Sequence, residues 1–161
     1  MNLRLAHTAI RVPDIDAAAR WYESVLGLRV LSPPFLMDGA SIARDMGELL
    51  PDPPAIKAAI IGTEEGDHVL ELIEYPRVAV GSAPDSITHH GLTHVGLVCV
   101  DVDAVRNRLA AHGAEFLTRG VADVARLRTT WFRDPWGVVF ILVEKSRPAR
   151  PYYAQWSESS E

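Results

Sequence analysis

The chain has little cysteine: one residue, Cys99, among 161. A single thiol excludes an intrachain disulfide framework and suits a reducing compartment, so a cytoplasmic location is expected. Cys99 lies in the apolar run GLVCV and reads as a small packed residue rather than a reactive thiol. Clusters of Lys and Arg are missing too. The net charge is −5 with 23% charged residues, which gives no electrostatic basis for binding nucleic acid or an anionic membrane. Long apolar runs are also absent, and the uncharged stretch at residues 91–100 is far too short to span a bilayer. The N-terminal MNLRLAHTAIRVPD has charge and a His within its first apolar run, unlike a secretory leader. What is left is a chain that is 48% hydrophobic, enough for one well-packed domain or two small modules sharing a core.

What is present is a repeat. Residues 5–17, LAHTAIRVPDIDA, lie over residues 92–104, LTHVGLVCVDVDA, without a gap. Leu5, His7, Asp14, Asp16 and Ala17 recur as Leu92, His94, Asp101, Asp103 and Ala104. A second match sets HVLELIEY, residues 68–75, over VVFILVEK, residues 138–145. It places Glu71 on Ile141, Leu72 on Leu142 and Glu74 on Glu144. Two matches in the same order argue for a duplicated module.

Each copy reads β-α-β-β-β. In the first, a strand over residues 3–12 precedes a helix begun by Asp14. Ile15, Ala18, Tyr22, Val25 and Leu26 recur at helical spacing, and Gly27 stops the run. A strand over 28–31 follows, then hairpin strands over 56–62 and 68–75 around EEGD. The second copy offers a strand over 93–100, a helix through Val102, Val105 and Leu109 to Gly113, and a strand over 115–119. Hairpin strands over 127–132 and 138–144 around DPWG close it. A single domain is thus expected over residues 1–146, with module one at 1–78, a polar Gly/Pro linker at 79–91 and module two at 92–146, followed by a polar tail at 147–161. Residues 32–54 are an insertion in the first copy whose prolines bracket a short helix around 41–46.

Alternation along the strands sets His7 on a face with Leu5, Ala9 and Arg11, and His94 with Leu92, Gly96 and Val98. Glu71 shares a face with Val69 and Ile73, where a carboxylate is costly unless paired or metal-bound. A strand histidine alone reads as a packed or edge residue; recurrence of both at one place in the repeat argues for function. Two His and one carboxylate can hold a divalent ion and leave positions open. Glu144 falls on the face opposite Ile141 and reads as a solvated strand end. His68, His89, His90 and His112 read as exposed. Trp131 and Trp136 read as packing residues, Trp131 also being placed to line a cavity.

Four stretches, HTAIRVPDIDAAARWYESVLGLRV, LELIEYP, GLTHVGLVCVDVDA and FRDPWGVVFILVEK, resemble the vicinal oxygen chelate superfamily over residues 3–145. That superfamily includes glyoxalase I, methylmalonyl-CoA epimerase, bleomycin-resistance proteins and extradiol dioxygenases. The resemblance implies an α+β fold: two paired βαβββ modules forming a cupped, barrel-like mixed sheet with helices outside. It implies metal positions at His7, Glu71, His94 and a fourth place on the last strand. Relatives usually carry a carboxylate there, four residues after the Gly of D-P-x-G; counting from Gly137 gives Ile141. The missing carboxylate is tied to proton transfer in glyoxalase-like members, so a base would come from elsewhere. The insertion offers Asp38, Asp45 and Glu48, with Glu48 taken as the candidate catalytic base.

The resemblance implies a small oxygen-chelating substrate, one divalent ion (Fe, Mn, Co, Ni, Zn or Mg) and a homodimer. Three functions compete. One is an isomerase or lyase that stabilises an enolate on the ion. Another is a non-haem Fe(II) dioxygenase using two His and one carboxylate. The third is a metal-free binding protein of the antibiotic-sequestering kind, against which His7, His94 and Glu71 argue.

Overall fold

Asp14 starts the first helix. In extended backbone, its carboxylate accepts a hydrogen bond from Ala17 N at 2.9 Å, and the residues behind it bury Ile15, Ala18 and Ala19. Asp101 does the same for Ala104 N at 2.9 Å, ahead of buried Val102 and Leu109. The duplicated sequence therefore builds duplicated helix starts.

The computed structural model describes residues 3–64, 68–82, 87–88, 90–124, 127–145, 151 and 153. The chain divides into two units, Met1–Ser82 and Ala83–Glu161. The division falls inside the 79–91 stretch. His89, most of the EEGD tip and nearly all of the tail lie outside the described residues.

In the first unit, β1 (His7–Arg11) leads to α1 (Ile15–Trp21), which runs on as a π-helical turn, Tyr22–Leu26. Gly27, at φ 74°, ends it: the left-handed conformation brings Leu28 N to Tyr22 O at 3.2 Å. Then come β2 (Arg29–Asp38), α2 (Ala40–Met46), β3 (Ala55–Gly62) and β4 (Val69–Glu74). The sheet order is β1-β4-β3-β2, with β1 parallel to β4 and the other pairs antiparallel. One face is packed: Ile10, Ala59, Ile61 and Leu72 are buried, and α1 lies against β3 and β4. Leu72 is fully buried, and truncating it to Ala costs about 2–5 kcal/mol.

The second unit repeats the plan with β5 (Val95–Cys99), α3 (Val102–Ala111), β6 (Glu115–Phe116), β7 (Ala122–Val124), β8 (Leu127–Arg133) and β9 (Val139–Glu144). Its order is β5-β9-β8-β6, with β7 also on β8, and β5 runs parallel to β9. Phe132 and Phe140 stack at 5.1 Å in the core beneath α3, beside fully buried Leu109 and Leu142. The turn between β8 and β9 explains the DPWG spelling. Buried Asp134 accepts hydrogen bonds from Trp136 N at 2.9 Å and Val138 N at 2.8 Å. Gly137 supplies φ 91°. The α+β class with two mixed sheets agrees with the sequence reading.

Two expected strands need correction, and one strand is additional. β2 does not stop at residue 31 but runs to Asp38, through Pro33 and Pro34, so the insertion begins as strand. β2 is an edge strand, where a missing N–H costs no ladder bond, and the register shifts at Ser32 take up the prolines. The strand expected over 115–119 is only Glu115–Phe116, and β7 was not foreseen. Buried Thr130 shows why the chain between them needs no ladder: Arg106 donates to its hydroxyl and, at 3.0 Å, to Thr118 O, and Arg106 lies 3.9 Å from the centroid of the Phe116 ring.

Candidate functional site

Each sheet has one face packed under α1 or α3 and an opposite face free of that helix, called the helix-free face below. Ladder partners share a face, so register identifies the residues on each. In the first unit, Ala9, Glu71 and Ile60 form one row across β1, β4 and β3. In the second, Gly96, Ile141 and Trp131 form the equivalent row. The repeat alignment of Glu71 with Ile141 is thus the alignment in space within each sheet.

Glu144 points the other way, towards the helix, and it is not a solvated strand end. Its Oε2 accepts a hydrogen bond from Val102 N at 2.9 Å, at the start of α3, and meets Arg128 Nη1 at 3.0 Å. Glu74 does the same for Ile15 N at 2.9 Å, at the start of α1. Arg128 also pairs with Asp103, as Lys57 pairs with Asp16 in the first unit. Those hydrogen bonds hold the Lys57 ammonium and the Arg128 guanidinium above their ordinary pKa values. Strand alternation gives the face of Glu144 correctly but not the helix N–H waiting there.

On the helix-free face of the first unit, His7 and Glu71 are brought together. His7 Nε2 lies 3.2 Å from Glu71 Oε2, with His7 about half exposed and Glu71 mostly covered. This answers the cost of a carboxylate between Val69 and Ile73. His94, just before β5 in the second unit, is fixed on two sides. Its Nδ1 lies 2.7 Å from Thr93 Oγ1, and its ring meets the Trp131 ring edge-on at a centroid distance of 4.8 Å. Sequence reasoning overlooked Thr93, which has Ala6 as its counterpart in the first copy. Within either unit, among the described residues, no three His, Cys, Asp or Glu side chains gather to hold an ion.

The insertion's carboxylates are placed as follows. Asp38 lies 3.5 Å from Arg77 Nη2. Asp45 is exposed on α2 and Glu48 on the turn after it, and no hydrogen bond or ion pair joins Glu48 to His7 or Glu71. His68, His90 and His112 are exposed, as expected. Burial is the main cause pushing the Cys99 thiol up to about 11, in keeping with a packed rather than reactive residue.

The family model for the glyoxalase/bleomycin resistance protein/dioxygenase superfamily matches residues 4–142. The chain belongs to that superfamily. Among solved structures, a glyoxalase family protein from Bacillus cereus superposes with a TM-score of 0.76 at 23% identity, covering 89% of this chain and 95% of its own. Glyoxalase I of Leishmania major, described as trypanothione-dependent, gives 0.62 at 21% identity over 89% of this chain and 87% of its own. Glyoxalase I of Zea mays gives 0.62 at 19% identity over 92% of this chain and 47% of its own. At these identities the likeness establishes the fold. No curated protein matches the chain. Among the described residues no helix is long and apolar enough to cross a membrane. Superfamily members bind small molecules, and divalent ions are common among them.

Proposed function

We propose that this superfamily member is a metal-dependent enzyme acting on a small oxygen-chelating substrate as an isomerase or lyase, with His7, Glu71 and His94 holding the ion. The observation that carries the reading is the His7–Glu71 pair at 3.2 Å on the helix-free face. The pair offers an imidazole nitrogen and a carboxylate oxygen, donor types that hold divalent ions, side by side on one face. His94 occupies the repeat-equivalent place in the second unit. A bound divalent ion would polarise substrate oxygens and favour charge developing on them. The chain's own residues set the rest. Ile141, in the row where the first unit has Glu71, can neither ligate nor carry a proton. Proton transfer then falls to a side chain outside the ladder rows, and with Asp38 engaged by Arg77, Glu48 is the carboxylate to test.

The same Ile141 favours a second reading, a non-haem Fe(II) dioxygenase, because two His and one carboxylate leave three positions open for substrate and oxygen. Metal analysis of protein purified without added metal separates the two. A divalent ion with oxygen-independent turnover supports the isomerase or lyase. Stoichiometric iron with oxygen uptake moves the assignment to the dioxygenase. A protein that takes up no ion, and whose His94→Ala variant keeps its small molecule, overturns both and leaves a binding protein.

A further inference from the structure

The two units keep the charged pair that ends each helix-side ladder, and differ at three neighbouring places on the opposite face. Lys57 corresponds to Arg128 and Glu74 to Glu144, each pair opposite one another in the ladder. Counting from those anchors, Ile60 becomes Trp131, Gly62 becomes Arg133 and Glu71 becomes Ile141. The second unit thus replaces a carboxylate, an aliphatic residue and a glycine with an aliphatic residue, an indole and a guanidinium.

Arg133 is poorly satisfied where it stands. Its ladder partners are Val139 on β9 and Glu115 on β6, and among the described residues its one ion pair is a contact of 3.5 Å from Nη1 to Glu115 Oε2. Its Nε is the buried side-chain polar atom without a hydrogen-bond partner among the described residues. A buried donor left unpaired is costly, and the guanidinium, itself partly exposed, gains by turning that donor towards an incoming acceptor. The planar guanidinium fork matches a carboxylate with two parallel hydrogen bonds. Two residues earlier on the same face is half-buried Trp131, its ring held against His94. In the same row, beyond Ile141, Gly96 leaves room: a Cβ there would meet only Ile141, at 3.7 Å.

We propose that this face of the second unit recognises the organic part of the substrate: Arg133 takes a carboxylate, and Trp131 packs against an apolar or aromatic body in the same molecule. Alternate strand residues are about 6.6 Å apart, which sets the spacing between acid and ring. The substrate class is therefore a carboxylic acid with an aromatic or apolar group a few bonds away. This deepens the proposed function by naming its substrate class, and it rests on that reading only in assigning the substrate to these faces; the recognition itself needs no ion.

The test uses the full chain stripped of metal with a chelator, and 4-phenylbutyrate and neutral 4-phenylbutanamide as probes that do not chelate. Calorimetric titration of the wild type is expected to give at least about tenfold tighter binding of the acid. Arg133→Gln brings that ratio to about one, and Arg133→Lys, which keeps the charge without the fork, restores part of it. Trp131→Phe, checked for folding by circular dichroism, weakens acid and amide alike and leaves the ratio in place. A wild-type ratio near one, or a ratio unchanged in Arg133→Gln, overturns the proposal. The two readings fail separately. A protein that binds no divalent ion but discriminates the acid loses only the metal reading; one that binds an ion with a ratio of one loses only this inference.

Discussion

Glu144 Oε2 accepts the backbone N–H of Val102 at 2.9 Å, tying the end of β9 to the start of α3. Glu74 and Ile15 repeat the bond in the first unit at 2.9 Å. Each carboxylate therefore works for the scaffold rather than for chemistry. Glu144→Ala is expected to lower stability by about 1–3 kcal/mol in chemical denaturation, and Glu74→Ala by a similar amount. Neither substitution should change divalent-ion affinity. A large loss of ion binding in Glu144→Ala with the fold intact would return that residue to the site.

Ile141→Glu tests the fourth position. Its row is the one that holds Glu71 in the first unit. An added carboxylate ligand should tighten ion binding by at least about tenfold, or 1.4 kcal/mol, in a competition titration with a chromogenic chelator. Weaker binding in a folded variant would place Ile141 away from the ion.

His94→Ala should lower ion affinity at least about 100-fold, since it removes a proposed ligand. Glu48→Gln should leave ion affinity unchanged and, if Glu48 moves the proton, slow turnover by about 10²–10⁴. The pair of variants separates holding the ion from moving the proton.

Cys99 gives a pH dependence. Its ordinary value of 9.0 is pushed up to about 11, first by burial and then by the nearby Glu144 and Asp101 charges. The native thiol keeps its proton where the unfolded one has lost it. Stability is therefore intact below about pH 9 and falls as pH rises from about 9 to about 11. Cys99→Ala should flatten that part of the curve. At neutral pH the native thiolate is about 100-fold scarcer than in an unperturbed thiol, so iodoacetamide should label Cys99 slowly until denaturant is added.

Arg106 holds the chain after β6 through Thr118 O, the buried Thr130 hydroxyl and the Phe116 ring. Arg106→Ala leaves Thr130 with weaker partners and removes the cation from the ring. A loss of about 2–3 kcal/mol in denaturant unfolding is expected.

Much of this architecture was legible because it is periodic or punctuated. Asp14 and Asp101 mark helix starts, Gly27 and Gly113 mark helix ends, and alternating strands gave the faces of Glu71 and Ile141. The errors share one physical origin. Proline at 33 and 34 argues against a strand in general, but not against an edge strand, and the sequence does not say which strand lies at the edge. Glu144 was misread because alternation says where a side chain points, not what waits there. A signal did exist: Glu74 and Glu144 recur together with Asp14 and Asp101, and a residue retained in both copies without a place in the site needs a structural partner. For Arg133 no pattern in the chain announces the unpaired Nε, which depends on side-chain packing across β6, β8 and β9.

The paired glutamates have a mechanical meaning. In each unit the last strand caps the helix that follows the first, across 59 residues of chain in one case and 42 in the other. Peeling β9 from the sheet uncaps α3, and loosening α3 frees the end of β9. Each unit is latched from its first elements to its last, and fraying at one end is felt at the other. In hydrogen exchange, the amides of Ile15 and Val102, although at helix starts, should open together with the strands that hold them.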